Sequence, residues 1–435
     1  MAKTLYICYF GLREPLVQTQ VLPYLRELML RRDEQEDDNH EITRTDTKHG
    51  IKEKNLQVEV SLLTFEPDLK NKWTPGQIAK QKAELAREGI DWHCLTYHKR
   101  PSVPATLYDI FRGTLFVRRF INEQKPDILH GRVHLPTLMG ALARKLARHK
   151  PKLLFDIRGF FPEEYTDAGI WPAGGWLYRG AKRVERWLMK EADGYVVLTE
   201  KAREILFSGS KETGFAQDGK PVEVIPCCVD MERFKSANNG ARAEIRKKLD
   251  IDDRFVAVYI GAFGGWYLTQ ETADFFGEVK RYKKDAFALV LTQSKPEMIE
   301  PLLRERGYGD RDYIVTKVKP EEIPEYLSGA DIAVSFIKSC YSKQASSPTK
   351  NAEYLACGLP IIANSGVGDV DELISTHKVG ALIRGFESED YQSALNEIGQ
   401  LNDVADRCRL AAAEEFDLSL AGSRYRRLYS RLLAS

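Results

Sequence analysis

No stretch of this 435-residue chain approaches the ~18 consecutive apolar residues that a spanning helix needs, so membrane contact is expected to be peripheral. The seven cysteines are odd in number, scattered and without a C-x-x-C pair. Cys227 and Cys228 are adjacent and would strain to pair. Reduced thiols and a cytoplasmic location are expected. The start, "MAKTLYICYFG", has a short apolar run without a cleavage-like small-residue site, and reads as a first strand rather than a signal peptide. No G-x-G-x-x-G is present, which counts against a dinucleotide fold. No G-x-S-x-G or Cys/His signature points to hydrolase chemistry. His130 and His134 lack H-E-x-x-H or comparable ligand spacing, so no metal is expected. Net charge is only +1, so no nucleic-acid partner is implied.

The charge is uneven, however. Residues 1–220 hold 36 Lys/Arg against 30 Asp/Glu, and the remainder is acidic. Ordinary scatter explains this as well as an anionic partner of the first half does.

What is present is an alternation of short apolar runs with longer amphipathic stretches. "TLYICYF" (Thr4–Phe10), "LQVEVSLLTF", "DWHCLTYH", "DILHGR", "KLLFDIRG", "GYVVLT" and "VEVIPCCVD" (222–230) read as strands. Helical spacing is expected over 16–32, 73–90 and 107–126. The almost apolar-free stretch 33–55 reads as a polar insertion. A second series follows with "FVAVYIGAFGG", "FALVLTQ", "YIVTKV", "IAVSFI", "PIIAN" and "GALI". Strands alternating with helices predict an α/β chain with two Rossmann-like parallel-sheet domains. The expected bounds are 1–229 and 230–415, because "MERFKSANNG" turns polar. The amphipathic helix in 416–435 is expected to pack back on the first domain.

Ligands of open parallel sheets bind at the carboxyl ends of strands. Gly11 follows the first strand, where close backbone approach or a simple turn would each require it. "GAFGGWYLTQE" follows the first strand of the second half. Gly264 and Gly265 there would leave backbone N–H groups as an anion cradle, without the Lys-Ser/Thr of a P-loop. Trp266 and Tyr267 could stack on a sugar or simply pack. Gly366 and Gly368 permit another tight approach. In the first half, His130, Arg132, Asp156, Arg158, Glu163 and Glu164 gather at strand ends. They form an acid/base and positioning cluster or a set of ordinary ion pairs.

"SSPTKNAEYLACGLPII" (346–362) is the most informative stretch. Ser346 or Ser347 suits a helix N-cap, with Pro348 in the first turn. The N–H groups of Ser347, Thr349 and Lys350 would then face a phosphate at the positive end of the helix dipole. Lys343 and Lys350 add charge. Glu353, three residues after Lys350, could accept two hydrogen bonds from a ribose diol. A capped surface helix with an exposed Glu is the plainer alternative.

Together these residues resemble the GT-B glycosyltransferases, in particular the retaining family 4 or "group 1" enzymes of the bacterial surface-polysaccharide type. "NAEYLACGLPIIANSGVGDVDELI" carries the resemblance most strongly. "VIPCCVDMERF" and "SGADIAVSFI" support it. The resemblance implies a cleft between two Rossmann-like domains, a nucleotide-sugar donor held by the second, and no metal or other cofactor. It implies that Glu353 holds the ribose and that the turn at Ser347–Lys350 holds the diphosphate. It also places Val318 at the base, Gly11 beside the donor phosphate and His130 near the transferred sugar. Two departures stand out. Ala345 occupies the position of the first acid of the family's E-x7-E motif. The usual Arg and Lys are absent from "GAFGGWYLTQE", so Lys343 and Lys350 would replace them.

The function so implied is transfer of a sugar to a glycan or lipid-linked acceptor in surface-polysaccharide assembly. His130, Lys350 and Lys343 would be catalytic, and Arg132, Arg158, Glu163 and Glu164 would lie on the acceptor side. A catalytically silent glycan-binding subunit and a sugar-nucleotide epimerase of the same fold are the alternatives.

Overall fold

The computed structural model describes residues 1–30, 56–235, 241–251 and 253–434. The expected polar insertion at 33–55 lies outside them. Two parallel sheets carry the chain. The first contains β1 (Ala2–Ile7), β2 (Val58–Pro67), β3 (Ile90–Tyr97), β4 (Ile128–Arg132), β5 (Lys152–Ile157), β6 (Gly194–Val197) and β7 (Val222–Val224). Their order is β3-β2-β1-β4-β5-β6-β7. The second contains β8 (Val256–Ile260), β9 (Phe287–Leu291), β10 (Tyr313–Thr316), β11 (Ile332–Ser335), β12 (Ile361–Asn364) and β13 (Gly380–Ile383), in the order β10-β9-β8-β11-β12-β13. β1 is an interior strand, with Thr4 in register with Val60 on one side and Ile128 on the other.

The sequence shows why the sheets are parallel. "VAVYI" and "FALVL" are apolar on both faces and have almost no access to solvent. Such strands need helices on both sides. Each sheet accordingly has one apolar core on each face.

The pattern over 16–32 is two helices, Pro15–Gln20 and Leu22–Met29, broken at Val21 (φ −125°, ψ −65°). Pro23 is the reason, since it has no N–H for the helix ladder and its ring crowds the preceding turn. The strand expected over 222–230 is confined to Val222–Val224.

The chain crosses between the sheets twice, and the crossings touch. The Val229 N–H donates to Phe416 O (2.9 Å), and the Leu418 N–H donates to Val229 O (3.0 Å). The helix Leu418–Ala434 then lies against helix Leu22–Met29 of the first sheet's domain. There Tyr425, Leu428, Tyr429 and Leu432 enter its core beside Tyr6, Tyr24 and Leu25.

Candidate active site

Helix Thr349–Ala356 starts between the sheets, and every residue from Lys350 to Ala356 is buried. The plainer reading of this segment, a surface helix with an exposed Glu, therefore fails. The N-cap assignment also needs correction. Pro348 holds the cap position with extended backbone, and among the described residues no side chain caps the helix. The Ser347 hydroxyl instead accepts the Cys227 N–H (3.0 Å) from the first domain.

Lys350 lies 7% exposed. Its Nζ has no hydrogen-bond partner among the described residues. It stands 4.3 Å from the ring centre of Tyr259 and 4.7 Å from that of Tyr267, so two aromatic faces supply its electrostatic company. Gly261 lets the loop after β8 pass close beside it. A Cβ there would lie 3.3 Å from Lys350 Nζ, at a φ of +139° that disfavours a side chain. Burial pushes the Lys350 amino group down to about 7, against the upward pull of Glu353. Burial pushes the Glu353 carboxyl up to about 7, against Arg233 and Lys350. This buried amine, without a hydrogen-bond partner among the described residues, thus lies one turn from a buried acid.

Lys343 is committed differently from the expectation. Its Nζ lies 3.0 Å from Glu164 Oε1 of the first domain and 4.1 Å from the Trp266 ring centre. It therefore reaches across the junction and is already neutralised. Neighbouring contacts fasten the same junction. The Ser342 N–H donates to Asp167 Oδ2 (2.9 Å), Phe160 stacks on Tyr341, and Ala345 packs into the first domain's core. Asp369 accepts the N–H groups of Glu200 (2.7 Å) and Lys201 (3.1 Å) at the start of helix Glu200–Leu206.

His130 does not meet the cleft. It is the middle residue of β4, and strand alternation sends it, with Ile128 and Arg132, to the face away from Leu129. It is fully buried between Tyr429 OH (2.9 Å from Nδ1) and Asp156 Oδ2 (3.3 Å from Nε2). Burial lowers its pKa, with Asp156 opposing. The role expected for it beside the transferred sugar is thus replaced by one in the domain core. Arg132 and Arg158 flank Asp156 at 3.9 and 3.7 Å. Burial alone would raise the Asp156 carboxyl, but Arg158, His130 and Arg132 hold it at about 2. Glu163 accepts from Tyr178 OH (3.1 Å) and pairs with Lys182 (3.0 Å). Glu164 is the partner of Lys343.

The expected backbone cradles are partly filled. The Gly264 N–H donates to Thr269 Oγ1 (3.0 Å), and the Gly366 N–H to Asp371 Oδ1 (3.1 Å). Gly265 has a φ of +62° and is exposed. The Gly11 N–H donates to Glu14 Oε1 (3.0 Å), and a Cβ there would lie 2.6 Å from Pro67. Packing thus demands that glycine. Val318 lies beyond β10, where its carbonyl accepts from Gln293 Nε2 (3.2 Å). Thr349 opens the helix. A cavity of about 680 Å³ opens at the junction, lined by Ser346, Ser347, Asn351, Thr199, Asp369 and Arg427, and of the expected site residues it touches Ser347 alone. Lys350 and Glu353 are outside its lining.

Sequence reasoning missed Tyr259, Asp167 and Asp369. Tyr259 sits inside a strand whose pattern reads as core. The two acids matter only through contacts with the other domain.

Two parallel-sheet α/β domains facing each other across such a junction define the GT-B class. Residues 54–211 match the family described as "Glycosyl transferase 4-like domain", and residues 241–415 match "Glycosyl transferases group 1". The chain belongs to the group 1 glycosyltransferases of GT-B fold. It is 24% identical over 263 residues to an alpha-D-kanosaminyltransferase of Streptomyces kanamyceticus. That match covers 58% of this chain and 64% of the relative's length. The fold resembles a glycosyltransferase from Rickettsia africae, with a TM-score of 0.65, 14% identity and coverage of 99% of this chain and 98% of that one. It also resembles Anabaena HepE, solved in complex with UDP and glucose, with a TM-score of 0.63, 14% identity and coverage of 99% and 100%.

Proposed function

We propose that the chain is an anomer-retaining glycosyltransferase. It takes a sugar from a nucleoside-diphosphate donor and passes it to a glycan or lipid-linked acceptor in surface-polysaccharide assembly at the cytoplasmic side. One observation carries this reading: the buried Lys350 amino group, without a hydrogen-bond partner among the described residues, at the start of helix Thr349–Ala356, one turn before Glu353. A diphosphate would give that amine hydrogen-bond acceptors, and Glu353 would hold the ribose. As the sugar leaves, negative charge grows on the diphosphate. A fixed cation beside it stabilises the transition state more than the ground state. In this reading Lys350 supplies that charge without a metal. The likeness to a kanosaminyltransferase and to a protein solved with UDP and glucose supports it.

Ala345 favours a second reading, a catalytically silent glycan-binding subunit. Where the first acid of E-x7-E is expected, the chain places a methyl group packed against the first domain's core. A thermal-shift panel of UDP-, GDP- and ADP-sugars followed by a transfer assay separates the two. A donor at 100-fold its dissociation constant adds roughly 2.7 kcal/mol of stability. Binding without transfer to any acceptor, and without hydrolysis or epimerisation of the donor, supports the silent subunit.

A further inference from the structure

Three helices cover one face of the first sheet: Ser102–Gln124, His134–Leu146 and Trp176–Glu191. Val117, Phe120 and Ile121 of the first, Met139 of the second and Leu188 of the third share one core with Leu5 and Ile7 of β1. The outer side of helix 102–124 is unusual. Its exposed positions in the first four turns include Val103, Leu107, Tyr108, Phe111 and Leu115, with Arg112 and, at the start, Ser102 and Pro104. Leu107 is 60% exposed and Phe111 58%. These spacings of three, four and five residues make one continuous stripe. Five of the seventeen exposed large apolar side chains among the described residues lie on this helix, which scatter does not explain. Residues 31–55, outside the described residues, contain only two apolar side chains, both isoleucine, too few to cover such a stripe.

The charge around the stripe is of one sign. Lys99 and Arg100 precede it. On helix 176–191, Arg179, Arg183, Arg186 and Lys190 are exposed at spacings of three and four, with Trp176 73% exposed at the start. The acids of these helices are engaged elsewhere. Asp109 is buried against His98 and Tyr9, Glu185 is buried against His134 and Lys182, Glu123 pairs with Arg119, and Glu191 with Lys145. A helix that follows a parallel strand starts at that strand's carboxyl end. The apolar turns and Trp176 therefore sit at the edge of the sheet that faces the second domain.

We propose that this face docks on a bilayer containing anionic phospholipid. The stripe of helix 102–124 enters the headgroup layer, and the basic side of helix 176–191 rests on its phosphates. Apolar side chains flanked by cations on a helix are the chemistry of interfacial binding. The complementarity of sign selects a lipid surface over a second copy of this chain, whose matching face would carry the same positive charge. Docking here sets the mouth of the junction against the membrane, where a lipid-linked acceptor would present its head. The inference rests on the proposed function for its purpose, but its test needs neither donor nor turnover.

The test is flotation of the full chain with vesicles of phosphatidylcholine alone or mixed with phosphatidylglycerol, at low and high salt. The wild type should float with the mixed vesicles at low salt and be released at high salt. Leu107→Ser/Phe111→Ser and Arg179→Glu/Arg183→Glu should each lower vesicle affinity about tenfold or more, with unchanged circular dichroism and melting temperature. The proposal is overturned by equal flotation with both lipids. It is equally overturned if either double variant floats like wild type. A wild-type dimer that Leu107→Ser/Phe111→Ser turns into a monomer would also overturn it, since the stripe would then belong to a contact between copies.

Discussion

Lys343 Nζ lies 3.0 Å from Glu164 Oε1, and this pair joins the two domains. The lysine also stands over Trp266, while Lys350, seven residues on, has no hydrogen-bond partner for its Nζ among the described residues. Two lysines that look interchangeable in the sequence thus have different electrostatic duties.

Titration of a nucleoside diphosphate into single variants should separate them. Lys350→Ala is expected to weaken binding by about 1–3 kcal/mol, the range for a charge-assisted contact. Lys343→Ala should change it by less than about 1 kcal/mol, because that side chain serves a partly exposed ion pair. Equal losses in calorimetry would mean that both lysines meet the phosphates.

The buried pair sets a stability profile with pH. Glu353 is raised from 4.5 to about 7, so the folded state holds the extra proton between these values and stability falls as pH rises through them. Lys350 is lowered from 10.5 to about 7, so the unfolded state holds the extra proton above 7 and stability rises with pH up to its unfolded value. The Glu353 limb should be on the order of 3 kcal/mol and the Lys350 limb on the order of 5 kcal/mol. Urea unfolding across this range should show the Lys350 limb vanish in Lys350→Met and the Glu353 limb vanish in Glu353→Gln. A limb that survives its own substitution would falsify the assignment.

Glu353→Gln should weaken nucleotide binding by about 1–3 kcal/mol above pH 7, where the native carboxylate is charged and can accept from a ribose diol. Below that pH the native acid is protonated and the loss should shrink. An affinity loss of the same size at pH 6 and pH 8 would remove the carboxylate from the ribose contact.

Gly368 has a φ of +47°, and a Cβ there would lie 2.0 Å from Ser346 O and 3.1 Å from Thr199 of the first domain. Gly368→Ala should therefore cost about 1–3 kcal/mol through backbone strain at the junction. Gly219 is a control, since it has a φ of +79° with nothing near its would-be Cβ. Gly219→Ala should cost less on chemical denaturation, because only its φ is penalised. Similar losses at both sites would show that φ alone sets the cost.

The alternation of doubly apolar strands with amphipathic helices was enough to expect two parallel sheets. That pattern follows from burying strands on both faces. The turn before Lys350 and the acid one turn later were also legible, because helix spacing fixes their relation locally. Pro23 breaking the helix at Val21 was visible in principle, but the continuing apolar period masked it. Only the tertiary structure decided where side chains at strand ends go. Alternation sends His130 beneath Tyr425 and Tyr429 of a helix nearly three hundred residues later, and no local pattern holds that distance. It also decided that Lys343 belongs to Glu164 and that Asp369 caps a helix of the other domain. Tyr259 and Tyr267 likewise form the walls around Lys350 only there. The periodicity of a sequence encodes which face is buried, since burial repeats with the local geometry. The partners of a charge lie wherever the chain returns, and folding alone brings them within reach.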